Sequence, residues 1–348
     1  MRKSWLVIRP QQLPVSFHLD QRVPFVLLVL GLVSLMAIVL NIGQGEYPIP
    51  PLEVLKTILG LPNTNPDYPF IINTLRLPRT LVAFAAGVGL AISGTILQGL
   101  TRNPLADSGI IGINAGAGLA AVTIIVLFPN IPLFVLPLSA FAGALTVAIL
   151  IYLMAWDKGN SPLRLILMGV GFAAVLNALT TLIITFGKIN NVTQALVWLA
   201  GSVYGRSWEH LGTILLWLGV FVPLSFILAM SLNALSLGDD IAKGLGTRVE
   251  WQRGLLLLSS AAMAGASVAV AGTIGFVGLM APHLGRQLVG PTHEGLLPTA
   301  ALIGGVIVVL ADWLGRVLFV PIQLPCGVVT AAIGTPYFLY LLIRNHKR

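Results

Sequence analysis

The sequence predicts an all-α polytopic membrane protein: one transmembrane domain over residues 1–348, built on ten spanning helices. Three observations predict it. Hydrophobic residues make up 56% of the chain and charged residues only 9%, where a soluble domain carries roughly 25% charge. Apolar runs recur at the length of a spanning helix, roughly 20 residues. The charges lie between the runs, and the cations lie there unequally. So few charges could not cover a soluble globule of 36.9 kDa. A cytosolic enzyme, a disordered chain and a secreted disulfide scaffold are thereby excluded. The single cysteine, Cys326, excludes internal disulfides and any multi-cysteine metal site. It reads as a buried free thiol. The net charge of +8 would suggest nucleic acid only if it formed a basic patch on a soluble face.

The elements follow in order. Residues 1–23 hold Arg2, Lys3, Arg9 and Arg22 and read as a cytoplasmic N-terminal segment. The run Pro24 to Leu40 has no small-residue cleavage site after it, so it is an uncleaved first helix rather than a signal peptide. Further apolar runs lie at about 80–100, 109–128, 133–156, 163–187, 211–232, 254–272, 273–289, 296–315 and 326–343. Val192 to Gly201 is apolar but too short to span, and lies in the interface or re-enters. No charge separates the seventh run from the eighth. The break there rests on the run Ala271-Gly272-Thr273 and on Gly275 and Gly278.

Ten spans that start inside also end inside. Six cations then lie outside: Lys56, Arg76, Arg79, Lys188, Arg206 and Arg316. The other fourteen of the 20 lie inside, as the positive-inside rule requires. Merging the seventh and eighth runs would reverse everything after them and spoil this bias. Glycine is abundant, 37 residues, and small residues let helix backbones approach closely in lipid. At Gly272, Gly275 and Gly278, beside Pro282, a second reading is open: a broken helix lining a pathway.

The spans hold almost no ionisable groups. An ion-coupled transporter keeps acids or histidines at mid-membrane, and a membrane redox protein needs histidine ligands there. The histidines are His18, His210, His283, His293 and His346, none central, and no metal cluster or nucleophile–base pair is evident. The energy for any transport then comes from another subunit. An inside loop, 233–253, points the same way. Ser236 with Asp239 matches a helix start, and Gly244 and Gly246 match a helix stop. Between them Leu237, Ile241 and Leu245 share one side of a short amphipathic helix. Such an edge suits a groove on a cytoplasmic partner.

Four blocks give the chain a resemblance over roughly 25–345. They are Leu75-Arg76-Leu77-Pro78-Arg79-Thr80-Leu81 with Gly99 and Asn103-Pro104-Leu105-Ala106; then Ala234-Leu235 with Gly244-Leu245-Gly246. The third is Ala271-Gly272-Thr273-Ile274-Gly275-Phe276-Val277-Gly278-Leu279 with Pro282-His283 and Arg286. The fourth is Ala311-Asp312, Arg316 and Leu324-Pro325-Cys326-Gly327-Val328-Val329-Thr330-Ala331, with Gly334 and Pro336. The chain resembles the FecCD-type permease subunits of ATP-driven importers for iron-siderophores, haem and cobalamin.

The resemblance implies ten helices per subunit and a dimer, homodimeric or with a paralogue, around a central pathway. It implies two ATPase subunits docked inside, where ATP and magnesium would bind, and an extracytoplasmic substrate-binding protein docked outside. This chain binds no cofactor, metal or nucleic acid, and lacks a P-loop motif. It would reside in the bacterial plasma (inner) membrane, with both termini cytoplasmic. Arg76, Arg79 and Arg316 are implied to dock acidic residues of the binding protein. Pro78 reads as a helix first-turn residue, which would set Arg76 and Arg79 against the helix dipole. Ser236, Leu237, Gly238, Asp239, Ile241, Leu245 and Gly246 match the coupling loop to the ATPase. Asn103, Pro104 and Leu105, with Asn160 and Ser161 in the next inside loop, match the cytoplasmic gate; Asn103-Pro104 also reads as a plain turn. The family commonly has Glu where Gln323 stands, and valine or isoleucine where Cys326 stands. The implied substrate is a ferric siderophore, with cobalamin or haem next. An ion-coupled secondary transporter is the different-class alternative, and a membrane scaffold a third.

Overall fold

The computed structural model describes residues 5–8, 17–45, 47–109, 111–132, 134–155, 162–319 and 321–345. Short strands β1 (Trp5–Ile8) and β2 (Phe17–Asp20) pair antiparallel, Trp5 opposite Asp20. The sequence reading contained no such hairpin. Helix α1 (Arg22–Gly43) is the first apolar run, and α2 (Pro51–Ile58) is a short helix after it. Next come α3 (Tyr68–Phe70), a π turn at Ile71–Arg76 and α4 (Leu77–Thr101). These are continuous, a 34-residue helix from Tyr68 to Thr101.

Pro78 therefore sits inside a helix and does not begin one. Proline has no N–H to give to the preceding turn. The ladder accommodates it by widening: the N–H of Leu77 reaches back five residues to the Ile72 carbonyl. Arg76 and Arg79 are consequently not at a helix N-terminus, and the dipole argument for them falls.

The remaining elements are α5 (Ile113–Leu127), α6 (Val135–Ala155), α7 (Pro162–Thr185), α8 (Ile189–Leu199) and α9 (Trp208–Ile227). They continue with α10 (Ala229–Leu237), α11 (Asp239–Gly244) and α12 (Val249–Ala271). Last are α13 (Val277–Val289), α14 (His293–Val317) and α15 (Cys326–Asn345). A helix stands at each of the ten expected places. Seven are long and apolar enough to cross a bilayer: α1, the Tyr68–Thr101 helix, α6, α7, α9, α12 and α14. The other three are shorter apolar pieces or, in α13, only 13 residues. That is about 20 Å of rise against a hydrocarbon core of about 30 Å. Among the described residues seven helices therefore reach crossing length by themselves, and the expected ten crossings are not confirmed: α5, α13 and the described apolar part of α15 are shorter.

Helices α4, α12 and α14 form the buried centre, while α1, α6, α7 and α9 present most of their surface outward. Glycine sets the spacing of the centre. A Cβ on Gly87 of α4 would collide with the Gly304 carbonyl of α14, and one on Gly304 with the Gly87 carbonyl. The two backbones touch directly, so the small-residue reading of these glycines holds.

Candidate functional site

A cavity of about 750 Å³ lies where α5, α7, α8 and α15 meet the chain between α12 and α13. The helical ladder stops at Ala271 and resumes at Val277. Gly272 lies at φ +70°, where a Cβ would strike the Trp198 carbonyl, and Phe276 takes a left-handed φ of 67°. The opened backbone finds partners in two other irregular pieces. Ser202 N–H donates to the Ala271 carbonyl at 2.7 Å, and Gly327 N–H donates to the Gly201 carbonyl at 3.0 Å. The Thr273 hydroxyl donates to the Leu199 carbonyl. Non-helical backbone at membrane depth survives only in this way, buried in protein or lining a cavity.

Thr273 and Gly275 face the cavity, and no atom stands within 4 Å of a Cβ placed on Gly275. Gly278 instead packs against the Leu90 carbonyl and Asp107, and Pro282 is buried within α13. The broken stretch thus divides: one part lines the space, the rest wedges it in place. The other polar lining comes from Asn114 on α5 and Asn177, Thr180 and Thr181 on α7. Sequence reasoning missed all four, because uncharged amides and hydroxyls do not stand out within apolar runs. Thr180 and Thr181 donate to carbonyls four residues back in their own helix, Leu176 and Asn177. The lining is therefore neutral, with few strong donors left over.

Arg79 lies at one end of the bundle, the end that the cation bias leads one to expect outside. There Arg79 of α4 gives Nε and Nη2 to Asp312 Oδ1 of α14, at 3.1 and 2.7 Å. Arg316 Nε lies 3.5 Å from Asp312 Oδ2, and its Nη2 donates to the Asn41 carbonyl and side-chain oxygens. Asn41 of α1 completes the knot: Nδ2 donates to Asp312 Oδ2 at 3.2 Å, and Oδ1 accepts from Thr80. Arg76 donates to the carbonyls of Ile42 and Tyr47. The three arginines singled out for docking thus first tie α1, α4 and α14 together. Gln323 accepts from Arg79 Nη1 at 3.1 Å, so a neutral oxygen stands where a carboxylate would be a second counter-charge. Cys326 is a buried free thiol, 3.5 Å from the Gly201 carbonyl.

At the opposite end α10, α11 and the start of α12 form the loop read as 233–253. Ser236 lies inside α10, and its hydroxyl donates to Asn233; Gly238, at φ +121°, is the residue before α11. The helix-start role assigned to Ser236 therefore falls to Gly238, whose conformation an L residue resists. Asp239 accepts instead from Arg253 at 2.6 Å and lies 3.7 Å from Arg102. Gly246 at φ +81° ends the helix as expected. Leu237, Ile241 and Leu245 are 61, 52 and 66% exposed, but they do not share one helix as expected: Leu237 ends α10, Gly238 breaks the chain, and only Ile241 lies in α11.

Asn103 Oδ1 accepts the Leu105 N–H at 2.9 Å, an Asx turn that carries Pro104. Asn160 and Ser161 lie outside the described residues. Beyond Leu105 the chain dives inward, and Asp107 is buried with Oδ1 out of reach of any donor. Burial pushes its carboxyl up to about 6, only partly opposed by the neighbouring Ser108. An acid raised from 3.8 costs the fold nothing below its unfolded pKa. The cost grows as pH rises through the interval and is complete above about pH 6, at about 3 kcal/mol. Asp107→Asn should therefore stabilise the detergent-solubilised protein by about 3 kcal/mol near pH 8 and by nothing near pH 3. Thermal unfolding at both values checks this; an equal difference at both would refute it.

A bundle of apolar helices, with its ion pairs at its ends and broken around a neutral cavity, has the build of a helical membrane transport protein. The sequence profile of the FecCD transport family matches residues 32–344, and the chain belongs to that family. It is 44% identical over 317 residues to the Fe(3+)-citrate import system permease protein YfmE of Bacillus subtilis (strain 168), covering 91% of this chain and 94% of that one. It is 45% identical over 327 residues to the probable siderophore transport system permease protein YfhA of the same organism, covering 92% and 94%. Among solved structures it resembles an inward-facing conformation of a putative metal-chelate type ABC transporter. The TM-score is 0.83 and the identity 32%, over 92% of this chain and 99% of that one.

Proposed function

We propose that this chain is the transmembrane permease subunit of an ATP-binding-cassette importer that carries a ferric siderophore across the plasma membrane. The observation that carries the reading is the neutral cavity of about 750 Å³ beside the broken helix. A bulky chelate must be held there loosely enough to leave. The relatives' import of iron chelates supports the substrate class; haem and cobalamin are the alternatives within the family.

Two ATPase subunits would take the exposed Leu237, Ile241 and Leu245 edge. ATP binding there would switch access between the two faces, with Asn103, Pro104 and Leu105 at the inner gate. A substrate-binding protein would dock on the Arg76, Arg79 and Arg316 face; all three also hold the bundle, Arg76 through backbone carbonyls and Arg79 and Arg316 through buried Asp312. A second permease subunit would close the cavity. The flanking helices α7 and α15 expose Val175, Leu182, Val328 and Ile333, and Val328 lines the cavity. Both termini would be cytoplasmic.

An ion-coupled carrier draws its one support from buried Asp107. Deletion of the gene should abolish ATP-dependent uptake of chelated iron, and the intact gene should restore it. Uptake that persists in the deletion strain, or a purified chain that transports alone on an ion gradient, would overturn the importer.

A further inference from the structure

Between α8 and α9 the segment 200–207 runs over the outer end of the bundle. Tyr204 of this segment lies under Arg79, 5.5 Å from guanidinium carbon to ring centre. Arg206 is half-buried, and its Nε has no hydrogen-bond partner. Burial pulls its pKa below the ordinary arginine value. Unlike Arg79 and Arg316, it has no carboxylate at ion-pair distance among the described residues. Its polar neighbour is His210 in the first turn of α9, with Nη1 and Nε2 3.4 Å apart.

The tautomer decides what that contact is. His210 Nδ1 faces the Ser207 backbone N–H at 3.3 Å and the Ser207 hydroxyl at 2.9 Å. A backbone N–H can only donate, so Nδ1 is the bare acceptor and Nε2 carries the hydrogen. Arg206 therefore meets an N–H, not a lone pair. Two donors face each other with no acceptor between them. Protonating the ring would not help, because a second N–H would then oppose Ser207. Glu209, in the same turn, is exposed.

The missing group is an acceptor with two oxygens. A carboxylate can take the guanidinium fork on one side and the imidazole N–H on the other. Position supplies the rest. Leu199 and Ala200, just before this segment, line the cavity together with Gly327 and Val328 at the start of α15. The segment that carries Arg206 is held against the start of that helix: Gly327 N–H donates to the Gly201 carbonyl at 3.0 Å, and Arg206 N–H donates to the Val203 carbonyl at 3.3 Å. The polar side chains lining the cavity are neutral amides and hydroxyls. We propose that Arg206 and His210 form a carboxylate-binding site at the outer rim of the cavity, which receives a carboxylate group of the incoming iron chelate.

This rests on the importer reading, and the experiment separates the two. Uptake of radiolabelled ferric citrate and of a neutral ferric trihydroxamate is measured with the complete transporter. Arg206→Gln should raise the half-saturating ferric citrate concentration about tenfold, as losing a charge-assisted hydrogen bond does. Arg206→Lys, which keeps the charge without the fork, should fall between. Trihydroxamate uptake should not respond to either substitution. If Arg206→Gln misfolds and loses both substrates, Arg206→Lys decides: it must lose citrate affinity alone. Unchanged ferric citrate affinity would overturn the site. Wild-type import of the trihydroxamate without ferric citrate would overturn it too and leave the importer standing. Import of neither would overturn the site for iron chelates of this kind, while the importer reading falls only if the complete transporter shows no ATP-dependent uptake of any iron chelate, haem or cobalamin.

Discussion

Asp312→Ala should destabilise the bundle by about 3–5 kcal/mol, the cost of breaking a buried ion pair by removing one partner. Asp312 is 2% exposed and faces two arginines, Arg79 at 2.7 Å and Arg316 at 3.5 Å. Removing it strands both cations and leaves Asn41 Nδ2 with only the Val309 carbonyl. The side chains of the pairs are too enclosed for solvent to screen them. Asp312→Asn keeps an oxygen for Arg79 but no charge, and should fall between. Thermal unfolding in detergent reads the difference, and an unchanged midpoint would mean the network is ornamental. The same result would free Arg79 and Arg316 to serve chiefly as docking groups.

Leu245→Asp should uncouple ATP hydrolysis from transport while leaving this chain's own stability unchanged. Leu245 is 66% exposed and directly follows α11, so little of its side chain is packed against the described residues. Burying a leucine in a partner's groove is worth about 1.5–3 kcal/mol. A carboxylate there forfeits that and adds a desolvation cost. Transport per ATP hydrolysed should drop about tenfold or more. Normal coupling in the variant would refute the docking edge. A lowered unfolding temperature would show instead that Leu245 belongs to the bundle.

What could be read from the chain alone follows from what is local. Apolar runs and their charged ends placed a helix at each expected site, and the break between α12 and α13 was legible because Gly272 and Gly275 interrupt a charge-free stretch. The spacing of Leu237, Ile241 and Leu245 announced three exposed apolar side chains but not the break at Gly238, which leaves only Ile241 of the three within α11. Non-local facts were not legible. Arg79 meets Asp312 across 233 residues of sequence, and nothing nearby in the chain announces that pair. Pro78 followed a sound local rule, but a π turn absorbed it. Ser236 has the right spacing for a cap, yet Gly238 takes the conformation that starts the helix. Asn114 and Asn177 converge only because α5 packs beside α7. Asp107 reads as a loop residue until the loop is seen to enter the bundle.

The central claim is that this chain provides a path and its partners provide the energy. The direct measurement is uptake of radiolabelled ferric chelate into proteoliposomes. These hold the chain with its ATPase and binding protein, and the comparison holds the chain alone under a proton or sodium gradient. The account predicts accumulation that requires ATP and all the partners, with none in the chain-alone vesicles. Gradient-driven accumulation by the chain alone would contradict it.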